Sequence, residues 1–325
     1  MQIKRALAIW SRSTRPRNCA AKCALIQFAL ALSIVAISGV SFFAESLLLT
    51  APPYGNRTHE PSAREIVRDV VRNEERARKN PQNYYKYVQK ETSPKGTDTS
   101  IRIETPQGTI GYVISINGKP PSKQRCSAET RSLTKLVTDS QVQSSQAQGQ
   151  KEQSARIENL MSAVPDAFIF EYQGKQLDSK SIEIKFHPNP SFQPQSREAA
   201  LLKGMRGTLW VDPTSHRLVK IEGTLFKDEE FGWGFLASLH RGGHFELVQA
   251  KVPGGSWKQT LLEVDLDGSK LVFGQLHVHF KDSSHSFNKL TSPPTLAQAV
   301  NILEHSPKAC REKQVEGTTA DAEIH

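Results

Sequence analysis

The chain has 325 residues, 37% of them hydrophobic, with a formal net charge of +9 and a mean hydropathy of -0.47. That composition describes a soluble protein overall, in which any membrane contact is local, and leaves room for one large domain or two ordinary ones. The charge would admit nucleic acid as a partner, but Lys4, Arg5, Arg12, Arg15, Arg17 and Lys22 precede the first apolar run with no acid among them and carry two thirds of the excess. The basic excess is a targeting feature, and no nucleic-acid partner is expected.

Residues 1–23 form the basic cytoplasmic flank of the apolar run Ala24–Ala44. This run reads as an N-terminal membrane anchor, a transmembrane helix held in the inner membrane, or as a signal sequence. Its length, near the roughly 20 residues that span a bilayer, favours the anchor with its positive end inside. On either reading the remainder is exported, to the periplasmic side of the inner membrane or free into the periplasm. Cys126 and Cys310 in that part are compatible with a disulfide or with two free thiols. Residues 45–61, rich in Pro, Gly and Asn, form a linker.

Ser62-Ala63-Arg64-Glu65 is a capping box, and Ala63, Ile66, Val67, Val70 and Val71 follow at helical spacing, so a helix runs from Ser62 to the stop at Asn80-Pro81. Tyr84 to Val88, Ile101 to Ile103 and Ile110 to Ile116 predict three strands, and Asn117-Gly118 turns the chain out of them. Residues 126–164 carry two short helical stripes, Leu133/Leu136/Val137 and Ile157/Leu160/Met161/Val164, the second ended by Pro165. Between them Ser140 to Gln153 is almost devoid of apolar residues and is expected as a solvated helix or a mobile loop, a surface connection in preference to the cover of a cavity mouth. Strands resume at Ala167–Phe170 and Ile182–Phe186, and Arg197 to Lys203 is a short helical segment.

From Gly207 to Phe280 the alternation is continuous. Leu209–Val211, Val219–Leu225, Phe245–Leu247, Leu262–Leu266 and Val272–Phe280 each show period two. Turn signals stand between them at Asp212-Pro213-Thr214, Arg241-Gly242-Gly243, Pro253-Gly254-Gly255 and Asp267-Gly268. Leu209, Val211, Ile221, Leu225, Leu247, Leu262, Val264, Val278 and Phe280 are expected to face the core. A last helix passes through Leu296, Val300 and Leu303, and 306–325 is a polar tail expected to be disordered.

Few residues carry chemistry. His277 and His279, two apart in a strand, share a face, but a metal needs further ligands and an outer sheet face is the plainer reading. No nucleophile elbow, zinc-helix motif, phosphate loop or dinucleotide fingerprint occurs, so no catalytic residue, metal or cofactor is expected. The most unusual stretch is Phe231-Gly232-Trp233-Gly234-Phe235-Leu236. Glycine-spaced aromatics allow a strand to bend sharply while offering apolar area, so Phe231, Trp233, Phe235 and Leu236 are the candidate ligand wall.

The leading helix, early strands and long meander, with Gly207–Pro213 followed by His216–Gly223, resemble the outer-membrane lipoprotein-sorting superfamily, the LolA/LolB/RseB-like fold. More narrowly the chain is similar to exported proteins of acidobacterial type that share Pro165-Asp166-Ala167-Phe168, Asn189-Pro190-Ser191-Phe192 and Phe231-Gly232-Trp233-Gly234. The resemblance covers residues 62–305 and implies an α+β fold, a curved antiparallel β-sheet forming an unclosed barrel capped by helices. It implies a non-catalytic exported protein of the cell envelope that binds the acyl chain of a lipid or lipoprotein, or, alternatively, a membrane-tethered sensor that binds other proteins.

Overall fold

The structure, a computed structural model, describes residues 60–173, 180–231, 237–270 and 274–306. Helix α1 (Ala63–Lys79) starts on the expected capping box: Ser62 N donates to Glu65 Oε2 at 2.7 Å, and Glu65 N donates to Ser62 Oγ at 3.3 Å. Its stripe of Ala63, Ile66, Val67, Val70 and Val71 is buried, and Asn80 closes its end. Strands β1 (Tyr85–Ser93), β2 (Gly96–Thr105) and β3 (Gly108–Ile116) follow as a meander, then helices α2 (Lys123–Thr138) and α3 (Ser140–Ala167). Next come β4 (Phe168–Tyr172), β5 (Ile182–Pro188), the one-turn α4 (Arg197–Ala200) with a 3₁₀ turn (Leu201–Gly204), β6 (Met205–Val211) and β7 (Leu218–Leu225). The short β8 (Glu229–Phe231) and β9 (Ala237–Leu239) precede β10 (His244–Lys251), β11 (Trp257–Lys270), β12 (Gly274–Lys289) and α5 (Leu296–His305).

All twelve strands join one antiparallel sheet in the order β3-β2-β1-β12-β11-β10-β7-β6-β5-β4, with the β8–β9 hairpin attached to β11. Its ends, β3 and β4, do not meet, so the sheet is curved and unclosed, and the protein is α+β as expected. Neighbours in the sheet are consecutive strands except where β10 lies beside β7, β9 against β11, and β1 against β12, the last of which brings the first meander beside the last strand.

Two apolar clusters cover the sheet. In the larger, α1 and the C-terminal half of α3 bury Ile66, Val67, Val70, Ile157, Leu160 and Met161 against the concave face of β5–β7 and β10–β12. All nine residues expected to face inward belong to it, Ile221 and Phe280 as partly buried members. The smaller cluster lies on the other face of β2 and β3, where Ile101, Ile103, Ile110 and Tyr112 meet Leu133 and Leu136 of α2 and Val300 and Leu303 of α5. Because side chains alternate along a strand, this leaves Arg102 and Glu104 of β2 on the concave side.

Several expectations need correction. Asp267-Gly268 is no turn: β11 runs straight through it to Lys270, and Gly268 pairs with Leu276 on one side and Leu239 on the other. A Cβ at Gly268 would stand 2.2 Å from Ser238 O, so the glycine serves the close approach of β9. Pro165 does not end α3, which continues to Ala167. In a last turn the missing proline N–H removes one bond, and the free carbonyls there find partners. Arg64 Nε donates to Pro165 O at 3.0 Å, Asn189 Nδ2 to Asp166 O at 2.9 Å, and Asn189 N to Ala167 O at 2.9 Å. Two motifs noted in the sequence, Pro165–Phe168 and Asn189–Phe192, therefore meet as a helix end and its cap.

The membrane reading is also corrected. No helix among the described residues is long and apolar enough to cross a membrane. The longest, α3 with 28 residues, is made polar by the Ser- and Gln-rich stretch Ser140–Gln153. Ala24–Ala44 lies outside the described residues, as do the linker as far as residue 59 and the tail from 307. The transmembrane helix and single-pass anchor expected from the sequence have no counterpart among the described residues. Cys126, near the start of α2, is disulfide-bonded; Cys310 lies outside the described residues.

Candidate functional site

Of the four wall residues expected from sequence, Trp233, Phe235 and Leu236 lie outside the described residues. Phe231 ends β8, and that hairpin joins β11 at its far end, opposite Gly268–Lys270. The cavity in the concave face lies at the other end of β11, around Trp257, Lys258 and Gln259. Ten residues of strand separate the two, roughly 30 Å at about 3.3 Å per residue, so the end of β8 stands well away from the cavity.

The cavity measures ≈ 610 Å³, within the range of small-ligand sites. It opens where the apolar packing of the concave face stops. One cross-strand row shows the change: Ile184 on β5, Leu209 on β6, Ile221 on β7, Leu247 on β10 and Leu262 on β11 stand opposite one another in turn. The row continues with Asp282 on β12, Glu91 on β1 and Asp98 on β2. Helices α1 and α3 cover the hydrocarbon part, and the cavity lies over the polar part.

Its floor is a set of charged and amide side chains that mostly satisfy one another. Lys258 Nζ donates to both carboxylate oxygens of Glu104, at 2.7 and 2.8 Å, with both side chains 6% exposed. Glu104 also accepts from Tyr85 N at 3.1 Å, and Lys258 lies over the Tyr85 ring. Burial pushes the Glu104 carboxyl up and the Lys258 ammonium down, each opposed by the charge of the other. Glu74 of α1 receives Arg217 in a two-pronged contact (2.8 and 3.0 Å), Leu218 N (3.0 Å) and Gln249 Nε2 (3.2 Å).

Asp282 differs. It is 4% exposed, Gln89 Nε2 donates to its Oδ2, and Arg102 Nε in turn donates to Gln89 Oε1. Its Oδ1 is buried in the cavity lining and has no hydrogen-bond partner. Burial raises its carboxyl to about 6, the Gln89 bond and Arg102 opposing and Glu91 adding to the rise. Gln259 Oε1 and Arg78 Nη2, both lining the cavity, are likewise buried without a hydrogen bond. Tyr87, raised by burial, stacks on Phe287 with ring centroids 5.0 Å apart, and with Trp257 these supply aromatic surface.

The Ser/Gln-rich stretch, expected from sequence as a solvated helix or a surface connection, is the N-terminal half of α3, and its Gln150 and Gln153, with the adjoining Ser154, form part of the cavity lining. The histidine pair stands on the outer face: His277 Nδ1 lies 2.5 Å from Asp267 and His279 Nδ1 2.7 Å from Asp265, with both imidazoles more than half exposed. Among the described residues no three His, Cys, Asp or Glu side chains are disposed to hold a metal. Sequence reasoning missed the cavity because its members are dispersed over α1, β1, β2, α3 and β10–β12. The one local signal was the alternation of Arg102 and Glu104 with Ile101 and Ile103.

Comparison with family models, with curated proteins and with solved structures finds no match to the chain. What the fold and the site define is therefore a structural class: an unclosed, helix-covered antiparallel sheet with a cavity of mixed charged, amide and aromatic lining in its concave face.

Proposed function

We propose that this is an exported, non-catalytic binding protein that takes a polar ligand into the cavity of its curved sheet. The observation that carries the reading is Asp282, a residue of the cavity lining whose buried carboxylate oxygen Oδ1 has no hydrogen-bond partner from the protein. An unpaired buried charge is costly, and such sites persist where another molecule supplies the missing bond. The other charged groups of the floor are engaged with one another as Glu104–Lys258 and Glu74–Arg217, which suits recognition better than proton transfer. Export is supported by the basic-then-apolar N-terminus and by the disulfide at Cys126, since disulfides persist in oxidising compartments such as the periplasm.

The resemblance to the lipoprotein-sorting fold supports a ligand on the concave side, and it suggests an acyl chain as that ligand. Helices α1 and α3 already fill the hydrocarbon part of this face, however, and the remaining space is lined by charged and amide groups beside the rings of Tyr87, Phe287 and Trp257. Native mass spectrometry of protein isolated without detergent tests the reading. The expected result is a non-covalent adduct that is released on unfolding and stays in the aqueous phase. A released molecule that partitions into organic solvent would restore the acyl chain, and a protein that is always ligand-free would end the proposal.

A further inference from the structure

Resting on that reading, we infer that the ligand is a neutral polyhydroxylated molecule of mono- or disaccharide size, bound through hydroxyl groups to Asp282, Gln259 and Arg78. The first argument is charge. The acids lining the cavity, Glu74, Glu75, Glu104 and Asp282, are matched in number by Arg78, Arg102, Arg217 and Lys258. Neither a strongly anionic nor a strongly cationic ligand gains from such a lining. The second is the polarity of the open atoms. Asp282 Oδ1 and Gln259 Oε1 lack a donor, and Arg78 Nη2, ion-paired with Glu158 at 3.7 Å, has no hydrogen-bond acceptor. A hydroxyl both donates and accepts, so one kind of group answers all three.

The third argument is the rest of the lining. Gln150 and Gln153 present amides, which offer a donor and an acceptor from one planar head, the pattern that neighbouring hydroxyls on a ring require, while Gln89 and Gln249 are bonded within the floor. Tyr87, Phe287 and Trp257 add flat apolar surface, against which the C–H face of a sugar ring packs while its rim hydrogen-bonds. Hydrocarbon alone would leave the open polar atoms unsatisfied, and an ammonium would face the guanidinium groups of Arg78 and Arg102.

The test is saturation-transfer NMR on the full chain with glucose, maltose, N-acetylglucosamine and its β-1,4-linked dimer. Spermidine, citrate and dodecanoate serve as cationic, anionic and acyl probes. The expected outcome is transfer to at least one saccharide, weakened at least ten-fold by Asp282→Asn and by Gln259→Leu, with folding of both checked by circular dichroism. Two positions are tested so that the loss of one variant to misfolding leaves the other informative. Binding of spermidine, citrate or dodecanoate in place of the saccharides overturns the inference. Silence from every saccharide, with an aqueous adduct still seen by native mass spectrometry, also overturns it and leaves the binding-protein reading standing. Silence with no adduct removes both.

Discussion

Leu262 and Asp282 stand directly opposite each other on β11 and β12, and at this pair the concave face changes from hydrocarbon to carboxylate. Leu262 is 1% exposed and Asp282 4%, so the carboxylate is as deeply buried as the leucine that faces it. A cross-strand neighbour of that kind donates nothing to it. What holds the charge is the one bond from Gln89 and the field of Arg102, while Glu91 across β1 works against it.

The first prediction concerns the pH dependence of stability. The folded-state value for Asp282, about 6, lies above its ordinary 3.8, so the native state binds the proton more tightly than the unfolded chain. The stabilisation is fully present below the ordinary value, is lost as pH rises through about 6, and leaves a penalty of about 3 kcal/mol at neutral pH. Asp282→Asn removes the titration and retains an acceptor for Gln89. Urea unfolding should find the variant more stable than wild type at pH 7.5, with the advantage vanishing by pH 4. An advantage that does not change with pH would show that Asp282 is charged in both states at ordinary cost.

The second prediction concerns Lys258 and Glu104, which join the first meander to the start of β11 across 154 residues of chain. Both are buried, so removing one partner strands the charge of the other. Lys258→Met should cost roughly 3–5 kcal/mol in chemical denaturation. Adding Glu104→Gln, which keeps an acceptor for Tyr85 N, should return most of that loss. Two single losses that simply add in the double variant would mean the residues act through packing alone, without charge coupling.

Much of the architecture was legible because it is written locally. The capping box at Ser62–Glu65, the period-two runs and the turns at Asp212-Pro213, Gly242-Gly243 and Gly254-Gly255 depend on neighbours in sequence, and the nine inward residues follow from alternation. Gly268 misled because a glycine in a turn and a glycine under a close strand look the same in sequence. The site was not legible for a related reason. That Glu91 follows Asp282 in one row, or that Lys258 reaches Glu104, depends on β1 pairing with β12, a register set by contacts nearly two hundred residues apart. Phe231–Leu236 drew attention by composition, which says where a strand bends and not which part of a curved face stays open.

The third prediction concerns how the sheet curves. Phe186, Gly207, Gly223 and Phe245 stand in one row across β5, β6, β7 and β10, with the phenylalanines 4% and 3% exposed. The rings lean inward over the two glycines: a Cβ at Gly223 would lie 2.7 Å from the Phe245 ring, and one at Gly207 would lie 2.8 Å from Phe186 Cζ. The backbone obstructs them as well, with Arg206 O at 2.7 Å from the first and Glu222 O at 2.0 Å from the second. In an ordinary strand Gly→Ala is neutral or stabilising, because it restricts the unfolded chain. Here Gly207→Ala and Gly223→Ala should each destabilise by about 1–3 kcal/mol through overpacking. The obstacles differ, so the rescues should differ too. Phe245→Leu gives room beside Gly223→Ala and should make the double variant less unstable than the two single losses summed. Phe186→Leu should not help Gly207→Ala, whose obstruction is the neighbouring strand's carbonyl. Equal rescue at both positions, measured by urea midpoint, would place the constraint in the aromatic rings and acquit the backbone.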